Sequence, residues 1–483
     1  MAIIGLWSGG AVNTIPTTTW AAPASIITTQ VRNDSSAYSW AAATSTLTLP
    51  SSGLADGYLV RWNMEFEDNS NGRFTPNGRV IQSSGTGNFV SQQVSGYNRD
   101  ASEDRCFLQV MSVIDSPSAS AALQLQWRRD TDTPTGGTVE CYVEVIPLFY
   151  SNIGMYTGSV GRSDAQDAIT TTLSLDTAVV ESDTGAIELA SDVVTLKNDN
   201  KRYLVLGSYY GQNWASARCQ HIGALGVDGS EVTSTRAVSY ARDGNNNDVG
   251  CGFSYIAERA TTDVTLEVLA GQGQYRDFDM GTEINFTGTP TGVHNTLIVI
   301  ELNDSAEVFR SHWLGTTLGT NLGQAIDGAA QVDIEVVTIP DTVDSSSFTK
   351  VDNGSINAEV DMDAWVAANV SAGRRNISST QRHTWRSWIT KNGTPEDHTL
   401  HGDYSRGDQS TTGTSGSSAH AAGVVALAAN DDFGVATQEI SGTESGTDSV
   451  AFASILALNL DSLEASGPTF NPAWAGVGIG NIL

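Results

Sequence analysis

The sequence predicts an all-β chain: three tandem jelly-roll-like β-sandwich modules with short apolar terminal arms. Three observations carry this. Apolar and polar residues alternate with a period of two, turn-forming residues cluster between the alternating runs, and one pattern of markers occurs three times.

The alternation is plain at Leu123-Gln124-Leu125-Gln126-Trp127 and at Val264-Thr265-Leu266-Glu267-Val268. Successive side chains of a strand point to opposite faces, so these runs read as half-buried strands. Between such runs lie Asp68-Asn69-Ser70-Asn71-Gly72, Asp228-Gly229 and Asn392-Gly393. Gly, Asn and Asp tolerate left-handed backbone, and Asn, Asp and Ser bond their own main chain, so these are turns. About 8–10 short strands per module suit a two-sheet sandwich, the jelly roll first among them.

The repeat starts from an aromatic-led apolar strand. It runs Gly57-Tyr58-Leu59-Val60-Arg61-Trp62, then Arg202-Tyr203-Leu204-Val205-Leu206-Gly207, then Ala364-Trp365-Val366-Ala367-Ala368-Asn369. A tyrosine marker follows each: Tyr97 with Arg99, Tyr240 with Arg242, and Tyr404 with Arg406. The separations from Tyr58 to Tyr97, Tyr203 to Tyr240 and Trp365 to Tyr404 are 39, 37 and 39 residues. A further strand comes after each marker, at Cys106–Val110, Cys251–Tyr255 and Ala422–Ala426. Apolar runs at Cys141–Ile146, Thr296–Glu301 and Ser454–Asn459 close the modules.

These markers place the modules at residues 16–150, 167–303 and 331–463, with linkers at 151–166 and 304–330. Residues 1–15 and 464–483 remain as arms. The first arm carries Ile3, Ile4, Leu6 and Trp7 among glycines, more apolar side chain than a solvated tail carries. It is expected to dock on a neighbour or to pack on the chain's own modules.

The marker tyrosine has two readings. In one, its ring sits in the module core and the Arg two residues on forms a fork with a nearby Asp that pins the loop. In the other, it is a contact at a trimer axis or with a ligand.

Charge narrows the partners. There are 25 basic and 54 acidic residues, a net of −29. A polyanion is repelled by nucleic-acid phosphates and by anionic membrane surfaces. No apolar run approaches the ~20 residues of a membrane-spanning helix. The start, Met1-Ala-Ile-Ile-Gly-Leu-Trp-Ser, lacks a basic segment followed by a long apolar core, so no secretory leader is expected.

Motifs for chemistry are sparse. The four cysteines, Cys106 and Cys141 in the first module and Cys219 and Cys251 in the second, could each pair within a module or stay as buried thiols. His398-x-x-His401-x-Asp403 spells a possible metal cluster and Asp243-Gly-Asn245-Asn-Asn247-Asp248 a possible calcium loop. The other modules lack the first, and the second lacks a closing bidentate Glu, so both are read as polar loops. Arg406-Gly407-Asp408 spells an adhesion tripeptide but occupies the repeat's marker slot. Acid pairs such as Glu65/Glu67 and Asp361/Asp363 alternate along strands and could flank a sugar bond, yet a chain this acidic yields such pairs by chance. The expectation is no catalytic residue, no metal and no cofactor.

Tandem, acidic, Ser/Thr/Gly-rich modules with the Tyr58, Tyr203 and Trp365 strands, the Tyr97, Tyr240 and Tyr404 markers and the closing strands resemble tailed-phage virion proteins. Those are built of tumour-necrosis-factor-like and complement-type jelly rolls, in decoration proteins and in head or tail fibres. The resemblance covers residues 16–463 as architecture. It implies a homotrimer around a threefold axis, synthesis in the host cytoplasm, a final place in the virion, and the major capsid protein or other virion proteins as partners. The function it implies is capsid decoration or a head fibre. The alternative is a tail-fibre or receptor-binding protein that grips surface glycans, for which Trp214, Trp385 and Trp388 either stack on sugar faces or simply pack in the core. Residues 16–150 hold 8 Arg and 13 acidic residues, a net of −5, so the first module with its Trp7 arm is the expected docking end.

Overall fold

The computed structural model describes residues 2–10, 18–50, 55–67, 73, 75–98, 105–129, 137–159, 171–212, 219–241, 248–272, 294–314, 332–333, 345–350, 355–374, 382–406, 416–442 and 448–463. These residues form antiparallel sheets, with one short α-helix among them at Leu460–Leu463 and four single-turn 3-10 helices. The all-β, jelly-roll prediction holds. Each module is two facing sheets. In the second module, the inner sheet runs in the order Thr177–Glu181, Tyr150–Gly158, Asn295–Leu302, Lys201–Gln212, Asp248–Arg259. Its outer sheet runs Ile187–Ala190, Val193–Leu196, Val264–Gln272, Cys219–Val227, with Ala237–Ala241 also paired to the last. Such non-sequential neighbours are what a jelly roll produces.

In every module the first strand lies against the last. Gly5–Gly9 pairs with Gly137–Leu148, Tyr150–Gly158 with Asn295–Leu302, and Val308–Leu314 with Asp448–Asn459. Left bare, the last strand would present a row of unpaired N–H and C=O groups. Of the two expectations for the chain's first residues, it is packing on the chain's own modules that is seen, in place of an arm that docks on a neighbour. Trp7 sits opposite Val143 and is buried in the first module's core, Ile3 packs against that core, Leu6 is buried, and Ile4 is buried between modules. The module boundaries move for the same reason. Residues 151–158 and 308–314, read as linker, are strands of the second and third modules. Residues 464–483 lie outside the described residues.

The three central strands, Gly57–Glu67, Lys201–Gln212 and Met362–Arg374, bury both faces. On one face Tyr58, Val60, Trp62, Met64 and Phe66 fill the first module's interior. Tyr203, Val205 and Tyr209 do so in the second, and Ala364, Val366, Ala368 and Val370 in the third. On the other face Leu59, Leu204, Leu206, Trp365 and Ala367 join one core shared by all three modules. Burial of each large apolar side chain contributes about 1.5–3 kcal/mol. Trp365 thus faces opposite to Tyr58 and Tyr203, the aromatics it aligns with in sequence. A shift of one residue in register exchanges the two faces of a strand.

The modules close head to tail. Asn63 Nδ2 of the first donates to the carbonyls of His398 and Leu400 in the third, each at 2.8 Å. In the third, Ser371 Oγ donates to the Arg236 carbonyl of the second at 3.1 Å, and Ser454 Oγ to the Ser234 carbonyl at 3.0 Å. Gln92 Nε2 of the first donates to the Gly207 carbonyl of the second at 2.9 Å. Each inner face therefore meets the next module, and the ring closes within one chain.

The cysteines do not pair in the way considered from sequence. Cys106 lies opposite Phe66 and Cys141 opposite Met64, on the two neighbours of the central strand. Two strand spacings separate them by about 9–10 Å, beyond the ~7 Å that a disulfide spans. Cys141 and Cys251 are buried free thiols and Cys106 is buried as well; the side chain of Cys219 lies outside the described residues.

Candidate functional site

The tyrosine markers converge. Tyr97, Tyr240 and Tyr404, each buried, form a cluster of their own. Their ring centroids are 4.9 Å apart for Tyr97–Tyr240, 5.1 Å for Tyr97–Tyr404 and 5.4 Å for Tyr240–Tyr404, at interplanar angles of 56–66°. Tilted and edge-on contacts set the positive edge of one ring against the negative face of another. Three modules of one chain supply the three rings, so the contact lies within the chain and the rings pack on one another. Arg99 and Arg242 lie outside the described residues, as does the side chain of Arg406, and so does the proposed Arg–Asp fork.

Beside the tyrosines, the three modules line a small, partly open chamber of mixed polar and apolar surface. His420, on the Gly416–Leu427 strand of the third module, is its keystone. Its Nδ1 lies 2.9 Å from Gln109 Nε2 of the first module and its Nε2 lies 2.8 Å from Ser254 Oγ of the second. Its backbone N–H donates to His401 Nδ1 at 3.0 Å. Asp403 accepts the backbone N–H groups of Tyr404 at 2.7 Å and of Ser418 at 3.1 Å. Ser418 Oγ in turn accepts the Val238 N–H of the second module at 2.6 Å. Sequence reasoning passed over Gln109, Ser254 and His420. A signal was present: Gln109 and Ser254 each stand three residues after a cysteine, as polar residues within apolar strands.

Burial controls protonation here. It drives the His401 imidazole down to about 3. It does the same to His420, also to about 3, helped by the neighbouring His401 and by the Arg61 charge. It pushes the Asp403 carboxyl up to about 8, against the two N–H bonds that favour the anion. His401 and Asp403 both line the chamber and are half-buried. Both imidazoles are therefore neutral in the folded chain at pH 5, whereas an unfolded chain with ordinary values near 6.5 takes up protons. Their contribution to stability is present above 6.5 and lost as pH falls toward 3. Asp403 has the opposite sign: its contribution is present below 3.8 and lost as pH rises to about 8. Each proton is worth about 1.4 kcal/mol per pH unit across its window. The His420→Gln variant should accordingly lose less thermal stability than wild type between pH 6.5 and 4.5. Asp403→Asn should lose less between pH 6.5 and 8. Melting curves against pH that run parallel for wild type and both variants would refute the assignment.

A second polar layer joins the first and third modules. Arg61 and Glu144, both fully buried, pair at 3.0 Å. Arg61 Nη2 also donates to the His398 carbonyl at 2.8 Å, and Glu144 Oε1 accepts the Val424 N–H at 3.0 Å. Buried Glu65 meets Arg105 at 2.9 Å and Arg386 of the third module at 3.6 Å; desolvation pushes its carboxyl up, and the two guanidinium charges pull against that. Arg32 forks onto Asp363 at 2.7 and 2.8 Å.

The remaining sequence candidates are used structurally or fall outside the description. His398 turns away from His401 to the Val424 carbonyl, 2.8 Å from its Nε2. Among the described residues no three His, Cys, Asp or Glu side chains are placed to hold a metal ion. Residues 243–247 of the calcium-like loop and 407–408 of the adhesion-like tripeptide lie outside the described residues. Of the acid pairs, Glu67 meets Arg105 at 3.2 Å, and Asp361 accepts the Ala429 N–H at 2.8 Å. Trp385 is buried, its indole N–H on Ser417 Oγ at 2.6 Å. Trp388 is buried beneath Arg386, whose guanidinium carbon lies 4.6 Å from the ring centroid. Neither ring is open to a sugar, and Trp214 lies outside the described residues.

No protein-family model matches this chain, and no curated protein matches it. Among solved structures it is similar to the globular domain of zebrafish complement 1qA protein, at 10% identity and a TM-score of 0.19, over 32% of this chain and 95% of that one. It is also similar to a chain of Sulfolobus turreted icosahedral virus, at 10% identity and a TM-score of 0.19, over 94% of this chain and 91% of that one. A third match is PNGF-II, at 9% identity and a TM-score of 0.21, over 95% of this chain and 99% of that one. Likeness at this level carries no argument about activity.

Proposed function

We propose that this chain is a non-catalytic structural protein of a virus particle, a capsid decoration or head-fibre protein that binds the capsid through other virion proteins. One observation carries the reading: the positions common to all three modules are spent on closing a ring. The repeated tyrosines pack on one another, and the repeated central strands bury both faces. A catalytic repeat would instead keep a common polar cleft open. The strong net negative charge of −29 favours solubility before assembly and selects against nucleic acid. The closed Tyr97–Tyr240–Tyr404 contact favours the single chain, rather than a homotrimer of chains, as the threefold unit. Sedimentation equilibrium of the purified chain distinguishes the two.

The decisive test mixes purified chain with particles of its virus that lack it. Saturable co-sedimentation at a fixed ratio to the capsid protein is the expected result. Failure to co-sediment, together with binding on a glycan array, would replace this reading by a receptor-binding one.

A further inference from the structure

We propose that the chamber at the junction is a binding site for one or two ordered water molecules that link the modules. The chamber measures about 30 Å³ and is lined by residues of all three modules, Ser95, Gln109, Ser239, Cys251, His401 and Asp403 among them. A water molecule needs at least about 10–15 Å³ of such space, so the chamber has room for one or two and for no more than about three.

Two side chains point to an occupant. Ser95 is 9% exposed and Gln109 4% exposed, and neither Ser95 Oγ nor Gln109 Oε1 has a protein hydrogen-bond partner. A buried polar atom left unpaired costs about 1–3 kcal/mol, so native proteins satisfy nearly all of them, with ordered water where protein cannot reach.

The chemistry of the lining selects the ligand. The Gln109 amide spends one of its two polar atoms on His420 Nδ1, whose other ring nitrogen is held by Ser254. Rotating the amide only changes whether the atom left over is an acceptor or a donor. Ser95 brings a hydroxyl that both donates and accepts. Ammonium could donate to Ser95 Oγ and to Gln109 Oε1 but fails if the amide is rotated, and a halide serves only the rotated amide; water satisfies Ser95 and either orientation of Gln109. The inference is independent of particle binding, since it concerns the joint within one chain.

A crystal structure of the full chain at about 1.8 Å or better tests this directly. The expected result is one or two water peaks within hydrogen-bond distance, about 2.7–3.2 Å, of Ser95 Oγ and the Gln109 amide. Oxygen-17 relaxation dispersion of the protein in water gives the solution counterpart. Ser95→Val, which fills part of the chamber, should lose at least one long-lived water relative to wild type. Ser95→Ala, a milder change, should shorten its residence. An empty or collapsed chamber, a peak that tracks added ammonium or chloride, or unchanged dispersion in both variants would overturn the proposal.

Discussion

Replacing Glu144 by Ala should destabilise the chain by about 3–5 kcal/mol, the cost of leaving one partner of a buried ion pair unpaired. Arg61 is 1% exposed, and Glu144 is the carboxylate it bonds. Desolvation already pulls the Arg61 guanidinium down, and Glu144 opposes that pull through its charge and its hydrogen bond. The damage should cross the seam, because the same two side chains hold the His398 carbonyl and the Val424 N–H of the third module. Glu144→Gln keeps an acceptor for Val424 but loses the charge, so it should fall between wild type and Glu144→Ala. The double variant Arg61→Met/Glu144→Leu should recover most of the loss, since a packed apolar pair removes the stranded charge along with its partner. Urea unfolding followed by tryptophan fluorescence checks all three. A cost below about 1 kcal/mol for Glu144→Ala would mean that water reaches Arg61 and that the seam is not dry.

The second large effect is expected at the tyrosine cluster. Truncating a buried aromatic to Ala costs about 3–5 kcal/mol, through lost burial and the cavity left behind. Tyr404→Ala should fall in that range and should raise the protease sensitivity of the junction more than that of the sandwich interiors. Pairwise replacements should be less than additive, because the rings touch one another. A coupling of about 0.5–1.5 kcal/mol between Tyr97→Ala and Tyr240→Ala is expected. Tyr404→Phe keeps the ring contacts and should cost about 1 kcal/mol or less. Full additivity of the alanine variants would show that the three rings act separately and that the ring of modules is held elsewhere.

Both effects sit at positions whose residue types were visible in the sequence while their roles were not. Arg61, Asn63 and Glu65 alternate with Trp62, Met64 and Phe66, which by itself describes a strand with one wet face. In the folded chain that face is buried, because another module covers it. Trp385 and Trp388 show the same gap: sequence gives an aromatic, and packing decides whether any ring face reaches solvent.

The sequence by itself determined that the chain is all-β, that a module recurs three times, and that a tyrosine marks each copy. These follow from local rules: side-chain alternation, turn chemistry and spacing all act within a few residues. The tertiary structure alone decided that the three tyrosines meet, that Ile3 to Trp7 complete a sheet, and that Cys106 and Cys141 stand two strands apart. It also decided that Trp365 faces the shared core while Tyr58 and Tyr203 face their own. The physical reason is register. Which face a side chain takes depends on pairing with residues far along the chain, and a slip of one position reverses it.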